Sequence, residues 1–156
     1  MSEKFETIAI SDLMAQSGVG FGTSGARGLA EAMTDRVCYL YTVGFVQYLE
    51  KADLVHPGDA VALAGDFRPS SPRIMAAAAA AICDLGYQPV NCGHVPTPAV
   101  ASYAIAEGIA SLMVTGSHIP DDRNGIKFNR PDGEILKGDE AAIREQLVCV
   151  ERALFA

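Results

Sequence analysis

Apolar and polar positions follow two rhythms along this chain. From Thr34 to Lys51 the apolar residues recur at helical spacing: Val37, Leu40 or Tyr41, Gly44 and Tyr48 share one face, and Thr34 is placed to cap the start. HPGD, His56 to Asp59, reads as a turn, and Val61 to Gly65 as a buried strand, too short for a helix. Ser71-Pro72 predicts a helix start, the hydroxyl capping and the proline taking the first turn, where its missing N–H costs nothing. Ile74, Ala78, Ala81 or Ile82 and Leu85 form that helix's stripe, and Gly86 ends it. Gln88 to Val95 reads as a strand. Thr97-Pro98 repeats the cap-plus-proline device for a helix reaching Glu107. Ile109 to Val114 is another short buried strand, followed by the polar loop TGSHIPDDRNG, a strand over Gly125 to Phe128 and a turn at RPDGE. The end, from Asp139 to about Phe155, is expected to be helical.

Strands alternating with helices predict an α/β fold, a three-layer α/β/α sandwich around a mixed, mostly parallel sheet. With 156 residues and no repeat, linker or internal boundary, the chain reads as a single domain over 1–156. A domain this long buries enough apolar surface to fold without disulfides or metal. The four cysteines, Cys38, Cys83, Cys92 and Cys149, form no CxxC pair and are expected to be buried or half-buried free thiols. No apolar run nears the roughly 20 residues of a membrane span. The start, MSEKFETIAI, lacks a secretory pattern, so the expected location is the cytoplasm. A net charge of −7 argues against broad nucleic-acid binding, although a few placed cations can still hold one phosphate.

In such folds the ligand lies beyond the carboxyl ends of the strands, and three loops, two of them at that edge, carry candidate chemistry. In TGSHIPDDRNGIK, Thr115 to Lys127, Gly116 allows a sharp turn and the approach of a bulky group, and Ser117 is then presented on an exposed turn. His118 and Lys127 can transfer a proton or bind phosphate; an ordinary polar loop with a surface serine is the plainer alternative. In GFGTSGARG, Gly20 to Gly28, four glycines flank Thr23, Ser24 and Arg27, offering backbone N–H groups and a guanidinium to an anion. A flexible surface loop would look the same, and the ending of a P-loop is absent. In GDFRPSSPR, Gly65 to Arg73, the expected role is structural: capping, with an Asp66–Arg68 brace. His56 and His94 beside turns are read as structural. A serine-hydrolase elbow would need glycine at 119, where Ile119 stands.

Taken together, FGTSGARG, GDFRPSS, VPTPA (Val95 to Ala99) and TGSHIPDDRNGIKF resemble the α-D-phosphohexomutase family, which includes phosphoglucomutases, phosphomannomutases and phosphoglucosamine mutases. The segments stand in the family's order, and the resemblance covers nearly the whole chain, although it reaches only the first of the family's four domains. It implies that Ser117 is the phosphorylated serine, that His118, Lys127 and Arg27 are catalytic groups, and that Thr23, Ser24, Gly116 and Arg27 bind phosphate. It also implies Mg²⁺, held between the Ser117 phosphate and an aspartate-rich loop of domain II. One departure is clear: the family usually reads S-H-N-P, and here Ile119 replaces the amide, removing a donor and an acceptor.

The implied reaction interconverts hexose 1-phosphate and hexose 6-phosphate, glucose or mannose, through a bisphosphorylated sugar. The metal-binding, sugar-reading and distal phosphate loops of domains II–IV have no counterpart here, so this polypeptide is expected to turn over little by itself. Its partners would be a phosphorylated hexose and domains II–IV, with no nucleic acid and no membrane. The rival readings are a single-domain phosphosugar-binding or regulatory protein, and an interaction module without catalysis.

Overall fold

The computed structural model describes residues 4–22, 25–117 and 119–155. Nine strands, five α-helices and a terminal 3₁₀ turn follow one another among them. In chain order these are β1 (Phe5–Ala9), α1 (Ile10–Ser17), β2 (Gly20–Gly22), β3 (Gly25–Leu29), α2 (Asp35–Lys51), β4 (Ala60–Gly65) and α3 (Ser71–Asp84). Then come β5 (Gln88–Asn91), α4 (Thr97–Glu107), β6 (Ala110–Val114), β7 (Arg123–Arg130), β8 (Gly133–Glu134), α5 (Lys137–Arg144), β9 (Leu147–Glu151) and the 3₁₀ turn Arg152–Phe155.

The central sheet runs β2-β3-β7-β6-β4-β5, with β8 paired to β7. It is a mixed sheet with helices on both sides, as the alternation of elements predicts. Its parallel part is narrower than expected: only β5, β4 and β6 run parallel, while β7, β3, β2 and β8 join antiparallel. The reason is local. Two residues separate β2 from β3 and eight separate β6 from β7, and neither connection is long enough for the crossover that parallel neighbours need.

Alternation along β4 sorts the two faces. Val61 and Leu63 enter the larger core with α2 and α3. Ala62 and Ala64 face the other way, into a small cluster with Met113 and with Val100 and Ala104 of α4. Phe128 anchors the large core, its ring 4.7 Å from that of Phe45 and 6.0 Å from that of Phe21. Helix α2 is buried along most of its length, well beyond the single stripe expected, because α1, α3, α5 and β9 all lie against it. Its start is capped as predicted, the Thr34 hydroxyl accepting from the Val37 N–H at 3.2 Å.

Three expectations are corrected. Past α5 the C-terminal stretch is not helical: Leu147 to Glu151 alternates exposed and buried residues and pairs antiparallel with β1, from Phe5↔Glu151 to Ala9↔Leu147. The two-residue period of LVCVE is a strand signal, and its partner lies at the other end of the sequence. Neither Ser71 nor Thr97 caps its helix; each is the first helical residue, and the preceding Ser70 and Pro96 make no side-chain cap. All four cysteines are free, but Cys83 and Cys149 are exposed, standing on the outward side of α3 and of β9.

Candidate functional site

Strands β4 and β6 end side by side, and the loops leaving their carboxyl ends build the site. The Ser117 turn follows β6. Its root is fixed by the Thr115 N–H, which donates to the Gly125 carbonyl at 2.9 Å. Gly116 donates its N–H to Asp66 Oδ2 at 3.0 Å, and the Ser117 N–H donates to the Thr115 hydroxyl at 3.0 Å. Ser117 is exposed and left-handed, with φ of 54°. Few non-glycine residues adopt that conformation, and it persists only where the surroundings impose it.

The surroundings here are Arg68. Its guanidinium donates to the carbonyls of Ile119 and Pro120, both at 2.6 Å, of Arg123 at 3.2 Å and of Ser117 at 3.4 Å. Nε completes the set on Asp66 Oδ2 at 3.2 Å. The side chain is 10% exposed, so the turn wraps around it. The same contact explains Gly116, whose φ is not in the left-handed region: a Cβ there would stand 2.1 Å from Arg68 Cζ. The glycine thus makes room for a guanidinium, and the sharp turn attributed to it from the sequence falls one residue later, on Ser117. Ile119 serves the turn by its backbone alone, donating its N–H to the Gly116 carbonyl at 3.0 Å and offering its own carbonyl to Arg68. The side-chain amide that usually stands at this position is not needed to form the turn.

Asp66 is the other fixed point. Burial would raise its carboxyl, but the Ser71 hydroxyl, the Gly116 and Arg68 N–H groups and the Thr115 hydroxyl outweigh that and hold it below the ordinary value. Ser71 and Ser70 in turn accept from the Asn124 amide at 3.1 and 2.7 Å. GDFRPSS is therefore a brace, as expected, with the Asp66 carboxylate paired to Arg68 and bonded to the Ser71 hydroxyl. His94 is structural too: its Nδ1 lies 2.9 Å from the Asp66 carbonyl, and its ring stacks on Phe67. His56 bridges Asp53 and Asp59 on a distant turn.

Register brings the cations together. Gly25 pairs with Lys127 and Arg27 with Gly125, so Arg27 and Lys127 share one face of the sheet, the face that carries α4. A Cβ on Gly125 would stand 3.0 Å from Arg27 Cγ and 3.1 Å from the Thr115 carbonyl oxygen. The Arg27 stem thus packs over Gly125, which the Thr115 carbonyl also approaches. Among the described residues the Arg27 side chain has no hydrogen-bond or ion-pair partner. Lys127, 24% exposed, has only Glu134 among the described residues, at 3.9 Å. The hairpin bearing Arg27 is anchored from below, where Tyr41 and Arg144 donate to the Val19 and Phe21 carbonyls at 2.6 and 2.5 Å. Thr23, Ser24 and His118, the other expected site residues, lie outside the described residues.

An exposed hydroxyl on the turn leaving β6, with two cations of few protein partners on the adjoining strands β3 and β7, suits a phosphate. The same residues do not make a Mg²⁺ site, which needs several oxygen donors in octahedral array. Among the described residues no group of three or more His, Cys, Asp or Glu side chains could hold a metal ion. No helix among them is long and apolar enough to cross a membrane. Sequence reasoning missed Arg68 as the centre of the Ser117 turn. Its only signal was a lone arginine two residues after Asp66.

Comparison with known proteins bears on this arrangement. Residues 18–151 match the model of phosphoglucomutase/phosphomannomutase, alpha/beta/alpha domain I. Over 126 residues the chain is 53% identical to a phosphomannomutase of Sinorhizobium fredii, covering 81% of this chain and 27% of the relative. A phosphomannomutase of Salmonella muenchen is 48% identical over 132 residues, covering 85% and 27%. A phosphoglucosamine mutase of Synechococcus sp. is 38% identical over 126 residues, covering 79% and 26%. Among solved structures, a phosphoglucomutase/phosphomannomutase family protein from Burkholderia thailandensis has a TM-score of 0.68 and 25% identity, covering 87% of this chain and 29% of that one. The chain spans about a quarter of the length of the curated relatives it matches.

Proposed function

We propose, from the premise that this chain belongs to the phosphoglucomutase/phosphomannomutase family and corresponds to its α/β/α domain I, that Ser117 carries the phosphoryl group in a hexose-phosphate mutase reaction. The observation that supports this most directly is the exposed, left-handed Ser117 on the turn wrapped around Arg68, beside the sheet face that bears Arg27 and Lys127.

In this reading the P–Oγ bond of phospho-Ser117 breaks as a P–O bond forms to the free hydroxyl of a hexose monophosphate, glucose or mannose. Lys127 or His118 relays the hydroxyl proton to Ser117 Oγ as the P–Oγ bond breaks, so that neither group changes its charge over the transfer. The bisphosphorylated sugar then turns over, and Ser117 Oγ takes the other phosphoryl group, leaving the isomeric monophosphate. Little covalent chemistry falls to the protein. Its part is positioning and offsetting the charge on the equatorial oxygens, the role proposed for Arg27 and Lys127, with N–H or hydroxyl groups from Thr23 and Ser24; the Gly116 N–H, expected from the sequence to bind phosphate, is instead taken by Asp66. Mg²⁺ would supply further charge neutralisation at the Ser117 phosphate, with its carboxylate donors coming from outside these residues. Domains II–IV of a full mutase are the proposed source of those carboxylates and of the groups that read the sugar and its distal phosphate.

The test is a chimera in which this chain replaces the matching segment of the Salmonella muenchen phosphomannomutase. Mutase activity is expected, with a phosphoryl group mapped to Ser117 by peptide mass and both lost in Ser117→Ala. Activity that survives S117A, or a phosphate mapped to another residue, defeats the reading. The 156-residue chain alone is expected to show almost no turnover.

A further inference from the structure

We infer that Arg68 is a positioning residue for the phosphoryl-carrying serine: its guanidinium imposes the left-handed conformation that holds Ser117 out beside Arg27 and Lys127. The inference rests on the phosphoserine reading above for its functional meaning, but its geometric part stands separately.

Four carbonyls of one short segment, those of Ser117, Ile119, Pro120 and Arg123, all accept from this one side chain. Carbonyls turned inward onto a common centre constrain the residues that carry them, and with them the φ of 54° at Ser117. A residue left free would avoid that conformation, which is unfavourable outside glycine. The planar fork with its five donors can serve four carbonyls and a carboxylate at once, whereas an ammonium has three donors and no fixed plane. Asp66 aligns the fork through Nε and also holds the Gly116 N–H, so both ends of the contact are tied to β4. Gly116 lies against the guanidinium itself, and a single methyl group there would displace it.

This yields a coupling that separate structural roles would not give. Gly116→Ala pushes the guanidinium away without changing any charge. Arg68→Lys keeps the charge and removes the fork. Arg68→Met removes both. If Arg68 is what holds Ser117, each variant releases the same constraint, and G116A adds nothing in the R68M background.

The experiment is NMR on the 156-residue chain, with phosphoserine incorporated at position 117 for the phosphorus measurements. In the parent, residue 117 should give the strong intraresidue HN–Hα cross-peak of a positive φ. The second pKa of its phosphate should lie below that of an unfolded peptide, drawn down by the nearby cations. In R68K, R68M and G116A the cross-peak should weaken while core cross-peaks stay in place, and the phosphate pKa should rise toward the peptide value by about half a unit. R68K carries the test if R68M folds poorly. A positive φ retained in R68K and G116A, an unchanged phosphate titration in them, or full additivity of G116A with R68M would overturn the inference. Failure of the phosphoserine reading shows elsewhere, in an S117A chimera that stays active.

Discussion

Asp66→Asn should uncouple the Ser117 turn from the sheet, and its cost can be worked from the contacts. Oδ1 accepts from the Ser71 hydroxyl and the Arg68 N–H, and Oδ2 accepts from the Gly116 N–H and Arg68 Nε. An amide has one oxygen. Whichever way it turns, two of these four donors meet an NH₂ group. Each hydrogen bond lost at a part-buried group costs about 1–3 kcal/mol. Breaking a buried ion pair from one side costs about 3–5 kcal/mol. Asp66 is 23% exposed and Arg68 10%, which places this pair at the lower end, so the expected loss at pH 7 is about 3 kcal/mol. The sign of the pH dependence follows from the depressed carboxyl. Its contribution is present in full above the ordinary value of 3.8 and is lost as pH falls through the lower, folded-state value. A protonated Asp66 resembles asparagine, so the gap between parent and variant should close in acid. Other depressed carboxyls, Asp139 among them, are common to both proteins and cancel. Urea unfolding of both proteins from pH 7 down to about pH 2 measures the gap. A variant within about 0.5 kcal/mol of the parent at neutral pH, or a gap that does not shrink on acidification, would refute the reasoning.

Two further outcomes follow from other parts of the molecule. Burial pushes the Cys38 thiol up to about 12, against a smaller lowering by Arg73, while Cys83 and Cys149 are exposed; iodoacetamide at pH 8 should therefore alkylate Cys83 and Cys149 and spare Cys38 until urea unfolds the chain, as peptide mass mapping would report. Because Ser117 sits at φ of 54°, Ser117→Gly should be more stable than Ser117→Ala by about 1 kcal/mol in thermal unfolding, and an alanine variant as stable as the glycine one would show that the conformation carries no strain.

Much of the scaffold was legible because its signals are local. The helical period and the Thr34 cap mark α2, and the short apolar runs at Val61 and Ile109 mark β4 and β6, so the turn bearing Ser117 could be placed at the sheet's carboxyl edge before any coordinates. What stayed hidden depends on partners distant in sequence. Strand β9 alternates with period two, yet as a strand it must pair, and its partner β1 begins at Phe5. Gly25 reads as part of a loop and Gly125 as the start of a strand, but their role is set by the register of β3 on β7, which puts Arg27 and Lys127 on one face. Arg68 shows the limit most sharply. As a residue two positions after Asp66 it reads as a local brace, and that brace exists. Its larger role appears only because the parallel pairing of β4 with β6 brings the loop after Gly65 beside the loop after Val114, 49 residues from Arg68 to Ser117. The serine that gives the loop its chemistry is thus visible in its own segment, while the conformation that makes the serine usable is imposed by a side chain on a different strand's exit. Substitutions judged from the Ser117 segment alone will therefore misjudge Gly116, whose constraint is a guanidinium and not a turn.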